Sequence, residues 1–160
     1  MPQPTDKTER KLCYSGKQQD HTVKTQILAT RELILHVFGG LPGRISDQTL
    51  LGASGVIRCV PFWVTIRLDK GYEGTDKRHP DREVAQPVKG QRNHKVTALG
   101  RAYNYFLSTQ RIYVEHHFAR LQQFGILRGL YRGRFEGHED VFCIVSGLLN
   151  FRATGRFSLA

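Results

Sequence analysis

The longest amphipathic pattern in the chain predicts a helix over residues 102–124. Four apolar residues at helical spacing form its core-facing stripe: Leu107, Val114, Phe118 and Leu121. Arg111 and Glu115 belong to a polar row beside this stripe, so we expect Glu115 at the edge between the core and a cleft. A carboxylate at such an edge is partly removed from water and can still reach a metal ion or a substrate. The alternative is a solvated Arg111–Glu115 ion pair one helical turn apart, which contributes little stability.

Two shorter runs rich in β-branched residues predict an antiparallel hairpin near the start of the chain. The first run covers residues 21–29 and the second covers residues 32–38, with Thr30 and Arg31 in the turn between them. The glycines and the proline within residues 39–43 are expected to end the second strand, because neither residue type suits a strand interior. Residues 1–20 are polar and charged, so we expect an exposed lead-in without regular structure.

A third strand is predicted over residues 61–68, where the sequence is almost continuously apolar and β-branched. Such a run is typical of a strand that is covered on both faces. The strand is expected to end at Asp69, which a glycine-containing turn over residues 70–74 follows. Because open α/β sheets place their reactive groups at the ends of buried strands, Asp69 is a candidate catalytic or metal-binding residue.

Two more helices are predicted from their capping residues. Either Ser46 or Asp47 can accept hydrogen bonds from the free amides of a first helical turn, which predicts a short helix through residues 48–51. A last helix is predicted over residues 138–149, where acidic residues at the start favour the helix dipole. Asn150 is expected to end it, since asparagine is common just past a helix C-terminus.

The formal charge of +10 predicts a polyanionic partner. Arginine accounts for 16 of the 24 basic residues, and its planar guanidinium suits phosphate better than a merely solubilising charge requires. Residues 75–94 are polar and basic and are expected to form a long loop that follows a phosphate backbone. The candidate DNA-binding residues are Lys77, Arg78, Lys89, Arg92, Lys95, Arg120, Arg128 and Arg132. The alternative is a generally basic surface without a specific partner.

Several classes of protein are disfavoured by what the sequence lacks. No apolar leader and no apolar run long enough for a membrane span are present, so we expect a soluble, intracellular protein with no membrane partner. Cys13, Cys59 and Cys143 are widely scattered, which argues against a disulfide framework and against a cysteine zinc site. A length of 160 residues predicts a single domain.

The chain also resembles the DDE superfamily of insertion-sequence transposases, including its Harbinger-like group, in a series of ordered blocks. The blocks are Tyr14-Ser15-Gly16-Lys17, His21-Thr22-Val23-Lys24-Thr25, Pro42-Gly43-Arg44-Ile45-Ser46-Asp47 with Leu50-Leu51, Asp69-Lys70-Gly71-Tyr72-Glu73-Gly74, Pro87-Val88-Lys89, Tyr103-Asn104, Arg111 with Val114-Glu115-His116, and Gly147-Leu148-Leu149-Asn150. A single such block would be weak. Their order over most of the chain makes the resemblance specific.

The resemblance implies an α/β fold of the ribonuclease H-like type, with a mixed sheet, flanking helices and an endonuclease domain over residues 21–152, followed by a tail over 153–160. It matches Asp69 to the second acid of the family and Glu115 to the third, as catalytic metal ligands. Arg111 matches a supporting arginine, while Asp47 is a weaker metal candidate. Two Mg²⁺ or Mn²⁺ ions are the implied cofactors, and such ions prefer oxygen ligands.

Three departures from the family pattern change the expected activity. The first acid of the family belongs to a segment that would precede Met1, so the first strand is expected to be missing. Gln122 and Ser108 replace a lysine and a tyrosine of the motif around Glu115. The resemblance therefore implies metal-dependent DNA strand cleavage and transfer, and we expect this chain alone to be incomplete or inactive in that reaction. The alternative is a non-catalytic remnant that binds DNA or a transposase subunit.

The implied partners are transposon ends, target DNA and either a transposase oligomer or an upstream half of the same enzyme. The implied location is the bacterial cytoplasm, in association with the nucleoid.

Overall fold

A computed structural model describes residues 6–16, 19–90, 95–129 and 137–155. The described helices are α1 (Lys7–Cys13), α2 (Asp47–Ser54), α3 (Val56–Cys59), α4 (Thr75–Arg78), α5 (Ala98–Leu121), α6 (Gly125–Arg128) and α7 (Gly137–Ala153). The described strands are β1 (Tyr14–Ser15), β2 (Asp20–His21), β3 (Val23–Ala29), β4 (Ile34–Pro42), β5 (Ile66–Arg67) and β6 (Val84–Ala85). They pair as three two-stranded sheets, so the protein is a mixed α/β structure. Within these ranges, no helix is long and apolar enough to cross a membrane.

The chain divides into two compact units. The first contains the described residues of 1–45 and 113–160, and the second contains those of 46–112. Helix α5 begins in the second unit and ends in the first. Its observed span is close to the helix predicted over residues 102–124, which confirms the prediction from apolar spacing.

The predicted hairpin is the main sheet of the first unit. Strands β3 and β4 pair antiparallel, and Thr30 N donates to Leu33 O at 2.9 Å in the turn between them. The prediction that β4 ends before Gly39 is wrong, because the strand continues to Pro42. A Cβ at Gly39 would lie only 2.6 Å from Thr25 Oγ1, so the missing side chain is what allows the two strands to approach there.

The core of the first unit lies between this hairpin and the ends of two long helices. Ile34, Leu121 and Val145 are buried at its centre. Partly buried apolar residues pack around them: Ile27, Ala29, Val37, Phe118, Phe124, Leu127, Val141, Phe142 and Leu149. Leu121 is 1 % exposed, which agrees with the predicted apolar stripe of the long helix.

The sequence predicted that Asn150 ends the last helix, and this prediction is wrong. Helix α7 continues to Ala153, and the Asn150 side chain is used in another way. Its Oδ1 accepts from Ile34 N at 2.9 Å, and its Nδ2 donates to Ile34 O at 2.7 Å. The amide therefore joins α7 to the first residue of β4, and this contact stabilises the unit more directly than a helix cap would.

The segment expected to be a lead-in without structure contains regular elements. Helix α1 covers Lys7–Cys13, and β1 pairs antiparallel with β2. Cys13 is 3 % exposed, and Thr22 N donates to its carbonyl at 2.9 Å. The expectation was wrong because a polar sequence can still form a short helix when one apolar residue, here Cys13, anchors it.

The second unit begins with the predicted short helix, capped as expected. The Ser46 side chain accepts from Thr49 N at 3.1 Å at the start of α2, and Gly55, at φ 62°, ends the helix. Leu50 and Leu51 are buried on its inner side. Of the two predicted capping residues, Ser46 is the one whose side chain caps the helix.

Two expectations for the second unit are wrong. Within residues 61–68, only Ile66–Arg67 pairs as a strand, and Phe62 and Trp63 are exposed instead of covered. The expected loop over residues 75–94 contains α4 and β6, and β6 pairs parallel with β5. An apolar run does not reveal whether a partner covers it, and two-residue strands carry too little pattern to be recognised from sequence.

Candidate functional site

The candidate site of the second unit is built on the end of β5. Ile66 N donates to Glu83 O at 2.9 Å and Leu68 N donates to Ala85 O at 3.0 Å, which fixes the strand against β6. Asp69 follows directly and caps the 3-10 turn Lys70–Tyr72, because its Oδ1 accepts from Lys70 N at 2.7 Å. The sequence therefore placed Asp69 correctly, at the carboxyl end of a paired strand.

Arg111 contacts Asp69 directly. Its Nη1 donates to Asp69 Oδ1 at 2.8 Å, and the two side chains are 51 % and 46 % exposed. As a surface ion pair this contact is worth about 0–1 kcal/mol, so it contributes little to stability. Its importance is geometric, since it fixes one oxygen of the carboxylate. The structure thus brings together two of the residues that the sequence selected.

Asp47 and Asp69 both act on Tyr72. Burial, together with the Asp47 and Asp69 carboxylates, raises the pKa of Tyr72 to about 12. The Asp47 carboxylate also lies against Gly71, where an added Cβ would overlap Oδ2 and lie 3.3 Å from Cγ. Asp47 is therefore close to the turn that Asp69 begins, which places the weaker metal candidate in the same region of this unit.

Gln48 holds this turn, and sequence reasoning did not single it out. Its Nε2 donates to Tyr72 O, to Glu73 O at 2.6 Å and to Thr75 Oγ1 at 2.9 Å, so its two hydrogens are shared among three acceptors. Gln86 Nε2 donates to the same Tyr72 carbonyl. Because Tyr72 N in turn donates to Asp69 O at 3.0 Å, the two glutamines restrain the turn that begins at Asp69. Gln48 lies between Asp47 and Leu50 but is not one of the residues that carry the resemblance, so the sequence contains no signal for it.

Glu115 belongs to the first unit, where its side chain is exposed on α5. Asp69 belongs to the second unit. The expectation that their two carboxylates face one cleft therefore stays a prediction. On the same helix, His117 is 3 % exposed and its Nε2 lies 3.0 Å from Thr30 O, so this histidine has a structural contact within the first unit.

Some of the predicted DNA-binding residues form contacts within the protein, and others have exposed side chains. Arg78 donates to Gln48 Oε1 at 3.0 Å, and Lys89 forms an ion pair with Glu73. Four others have exposed side chains: Lys77, Lys95, Arg120 and Arg128. Arg92 and Arg132 lie outside the described residues. Binding of DNA by any of these residues stays a prediction.

Asn104, which belongs to the Tyr103-Asn104 block of the resemblance, has a structural role in the second unit. Its Oδ1 accepts from Val88 N at 2.8 Å, and its Nδ2 donates to Val88 O at 2.9 Å. This is the same double contact that Asn150 makes with Ile34. Two of the blocks that carried the resemblance therefore contain asparagines that join a helix to an extended segment.

Comparisons with known proteins identify the family of this chain. The profile of the family described as DDE superfamily endonuclease matches residues 1–150. A probable transposase for the insertion sequence element IS702 from Microchaete diplosiphon is 34 % identical over 150 residues, which cover 91 % of this chain and 51 % of that relative. The chain thus spans about half the length of the relative, and no solved structure matches it. The chain belongs to the DDE superfamily endonuclease family.

Proposed function

We propose that this chain is part of the catalytic domain of a DNA transposase, in which Asp69 and Glu115 are two of the acidic metal ligands. The reaction is cleavage of a DNA strand followed by transfer of its end to a target. Water and then a DNA 3′ hydroxyl attack phosphorus in such a reaction. The chain alone is proposed to be incomplete for it. A protein acting on transposon and target DNA would work in the bacterial cytoplasm, in contact with the nucleoid.

The single observation that carries the proposal is the contact between Arg111 Nη1 and Asp69 Oδ1 at 2.8 Å. Arg111 lies four residues before Glu115 on α5, whereas Asp69 ends a strand far away in the sequence. A surface ion pair of this kind adds too little stability to explain such an arrangement by itself. If Arg111 orients the Asp69 carboxylate or holds a phosphate next to it, both the choice of arginine and its position are explained.

The metal implied by the family fits the available donors in type. Asp47 and Asp69 both lie near Tyr72, and carboxylate oxygens are the donors that Mg²⁺ and Mn²⁺ prefer. Within the described ranges, however, no three His, Cys, Asp or Glu side chains are grouped so that they could hold a metal ion. We therefore propose Asp69 and Glu115 as ligands, with Asp47 as a weaker candidate.

When bound, two such ions activate the attacking oxygen and stabilise the leaving oxygen of the phosphodiester. The protein's own residues contribute positioning. Arg111 holds one oxygen of Asp69, and the backbone amide of Lys70 donates to the same oxygen, so the orientation of the carboxylate is set before any ligand arrives. Exposed cations such as Lys77 and Arg128 are proposed to bind phosphates of the DNA backbone.

We also propose a ribonuclease H-like fold for a domain that covers residues 21–152, with a tail over 153–160. The support is the order of the elements, since an antiparallel hairpin precedes a parallel pair of strands. The proposed partners are DNA and further transposase chains, including an upstream half of the same enzyme.

A second candidate function is DNA binding without catalysis. The absence of a three-residue metal-binding group among the described residues favours it. A remnant of this kind would bind duplex DNA through its arginines, with an affinity that falls steeply as salt rises and depends little on sequence. It would bind DNA equally well with and without divalent ions.

Manganese binding, measured by electron paramagnetic resonance, tests the proposal. Asp69→Asn and Glu115→Gln are each expected to weaken Mn²⁺ binding about tenfold or more. If the two carboxylates hold the same ions, the double variant will lose less affinity than the product of the two single losses. Asp81→Asn is the matched control, because Asp81 is 70 % exposed and pairs only with its neighbour Arg82 in the second unit.

Additive losses in the double variant would mean that Asp69 and Glu115 do not share a site, and the catalytic proposal would then be wrong. Loss of Mn²⁺ binding in Asp81→Asn would show that binding is unspecific. A plasmid-nicking assay with Mg²⁺, performed with and without the upstream half of a related transposase, then measures whether the complete site cleaves DNA. Salt-sensitive DNA binding with no metal dependence would favour the second candidate function.

A further inference from the structure

Phe62 and Trp63 form an exposed aromatic pair in the second unit. Their side chains are 68 % and 71 % exposed, and Val64 beside them is 41 % exposed. The two ring centroids are 4.8 Å apart at an interplanar angle of 83°, so the edge of one ring meets the face of the other. Each ring thus supports its neighbour, and this leaves aromatic surface open to solvent. Two large adjacent aromatic side chains with this exposure are costly in water unless a ligand covers them.

The charged residues adjacent to this pair in the sequence favour an anionic partner. Between Gly55 and Leu68 the charged residues are Arg58 and Arg67, both exposed, and there is no acidic residue. A patch that combines aromatic rings with arginines differs from the apolar surface of a protein core. Single-stranded nucleic acids are bound by this combination, because phosphates contact the cations while bases stack on the rings.

The backbone holds the aromatic pair at a fixed place near the candidate acid. Val64 N donates to Pro61 O at 3.1 Å, which makes a turn of residues 61–64, and Arg82 Nη1 donates to Val60 O just before it. Asp69 follows Trp63 by six residues, so the two residues are separated by at most about 22 Å. A DNA strand whose phosphodiester is near Asp69 can therefore reach the pair with a base a few nucleotides away.

We infer that Phe62 and Trp63 are a stacking surface for an unpaired DNA base next to the site of strand cleavage. This inference rests on the proposed function for the identity of its partner, and it adds a contact to single-stranded DNA that does not require metal. It also explains why the apolar residues 61–65, which precede Ile66, do not pair in the sheet. A run that binds a base must present its rings to solvent.

The one tryptophan of the chain makes the inference directly measurable, because all intrinsic tryptophan fluorescence comes from Trp63. The protein is titrated without divalent ions with a single-stranded oligonucleotide, with the same sequence as a duplex, and with an abasic strand of equal length. The normal single strand is expected to quench the emission strongly. The abasic strand, which carries the same phosphates, is expected to bind more weakly and to leave the emission almost unchanged.

Two variants separate stacking from charge. Trp63→Ala is expected to raise the Kd for the single strand about 5- to 150-fold, as measured by anisotropy of a labelled oligonucleotide, while Trp63→Phe restores most of the affinity. Tyr105→Ala is the matched control, because Tyr105 is 73 % exposed in the same unit and is expected to leave the Kd unchanged. Trp63 is exposed, so its replacement should leave thermal unfolding nearly unchanged.

Equal binding and equal quenching by the normal and abasic strands would overturn the inference. So would a Trp63 emission that shifts to shorter wavelength with protein concentration and does not respond to DNA, since a second protein copy would then cover the pair. The metal-free design keeps this result separate from the catalytic proposal. Quenching by DNA in a protein that binds no Mn²⁺ would support the stacking surface and refute the metal ligands. Mn²⁺ binding without quenching by DNA would support the metal ligands and refute the stacking surface.

Discussion

Asn150 and Asn104 make the same pair of hydrogen bonds in different surroundings, which allows their contributions to be compared. Each lies inside a helix, accepts from a backbone N–H and donates to the carbonyl of the same residue. Their partners differ, because Ile34 is 5 % exposed whereas Val88 is 47 % exposed. Replacing each asparagine by alanine therefore removes the same contacts from a buried and from an exposed position.

We expect Asn150→Ala to lower the free energy of unfolding by about 2–4 kcal/mol. Two net hydrogen bonds are worth about 1–3 kcal/mol together, and leaving a buried group of Ile34 unsatisfied adds about 1–3 kcal/mol more, part of which relaxation recovers. At Val88, water replaces the lost contacts, so Asn104→Ala should cost less than about 1 kcal/mol. The gain in helix propensity from Asn to Ala is similar in both variants and cancels in the comparison.

Urea denaturation followed by far-ultraviolet circular dichroism measures the difference. Hydrogen exchange of the β3 and β4 amides then assigns the loss to the first unit. Asn150→Asp serves as a second variant, because it keeps an acceptor for Ile34 N but places a carboxylate against Ile34 O, and it should be at least as destabilising as alanine. Equal losses for Asn150→Ala and Asn104→Ala would refute the argument that burial of the partner sets the cost.

Two further predictions concern the first unit and its hairpin. Gly39→Ala should destabilise the protein by about 1–3 kcal/mol, because the new Cβ meets the stiff Thr25 side chain. Gly52→Ala should be neutral or stabilising, because Gly52 lies in a helix and its new Cβ would have no atom within 4 Å. Thermal unfolding of both variants checks this. Burial lowers the pKa of His138 from 6.5. The unfolded chain then binds a proton more readily than the folded one, so stability is full above pH 6.5 and falls as pH drops toward the lowered pKa. His138→Gln should reduce that fall in a series of urea denaturations, and an unchanged slope would contradict the prediction.

The elements that the sequence predicted well are those whose partners lie within the chain and whose pattern is long. Helix α5 shows its apolar stripe over several turns, and the hairpin shows two β-branched runs joined by a short turn. The cap at Ser46 is a local interaction and was equally visible. In these cases the local preference and the final packing agree, so periodicity alone was sufficient.

The failures occurred where the outcome depends on a distant contact. Gly39 stays in β4 because Thr25 faces it, and nothing in the glycine-rich segment itself indicates that neighbour. Asn150 continues α7 because its amide bonds with Ile34, a residue 116 positions away. A strand of two residues such as β6 exists only through its pairing with β5. In each case a tertiary contact overrides the local preference of the sequence.

The candidate site shows the same division between local and distant information. The sequence placed Asp69 at a strand end and selected Arg111, and the structure joins them. It did not reveal Gln48, because a glutamine on a short helix has no distinctive pattern. Only the fold shows that this amide reaches the Tyr72 and Glu73 carbonyls beyond the Asp69 turn.

Gln48 and Gln86 explain how Asp69 can be held in place next to a strand of only two residues. The ladder between β5 and β6 is too short to fix the backbone beyond Leu68, so the turn that begins at Asp69 needs other restraints. The two amides supply them at the Tyr72 carbonyl, whereas Arg111 contacts the Asp69 carboxylate. Asp69 is thus held through its side chain by Arg111 and through its turn by the glutamines.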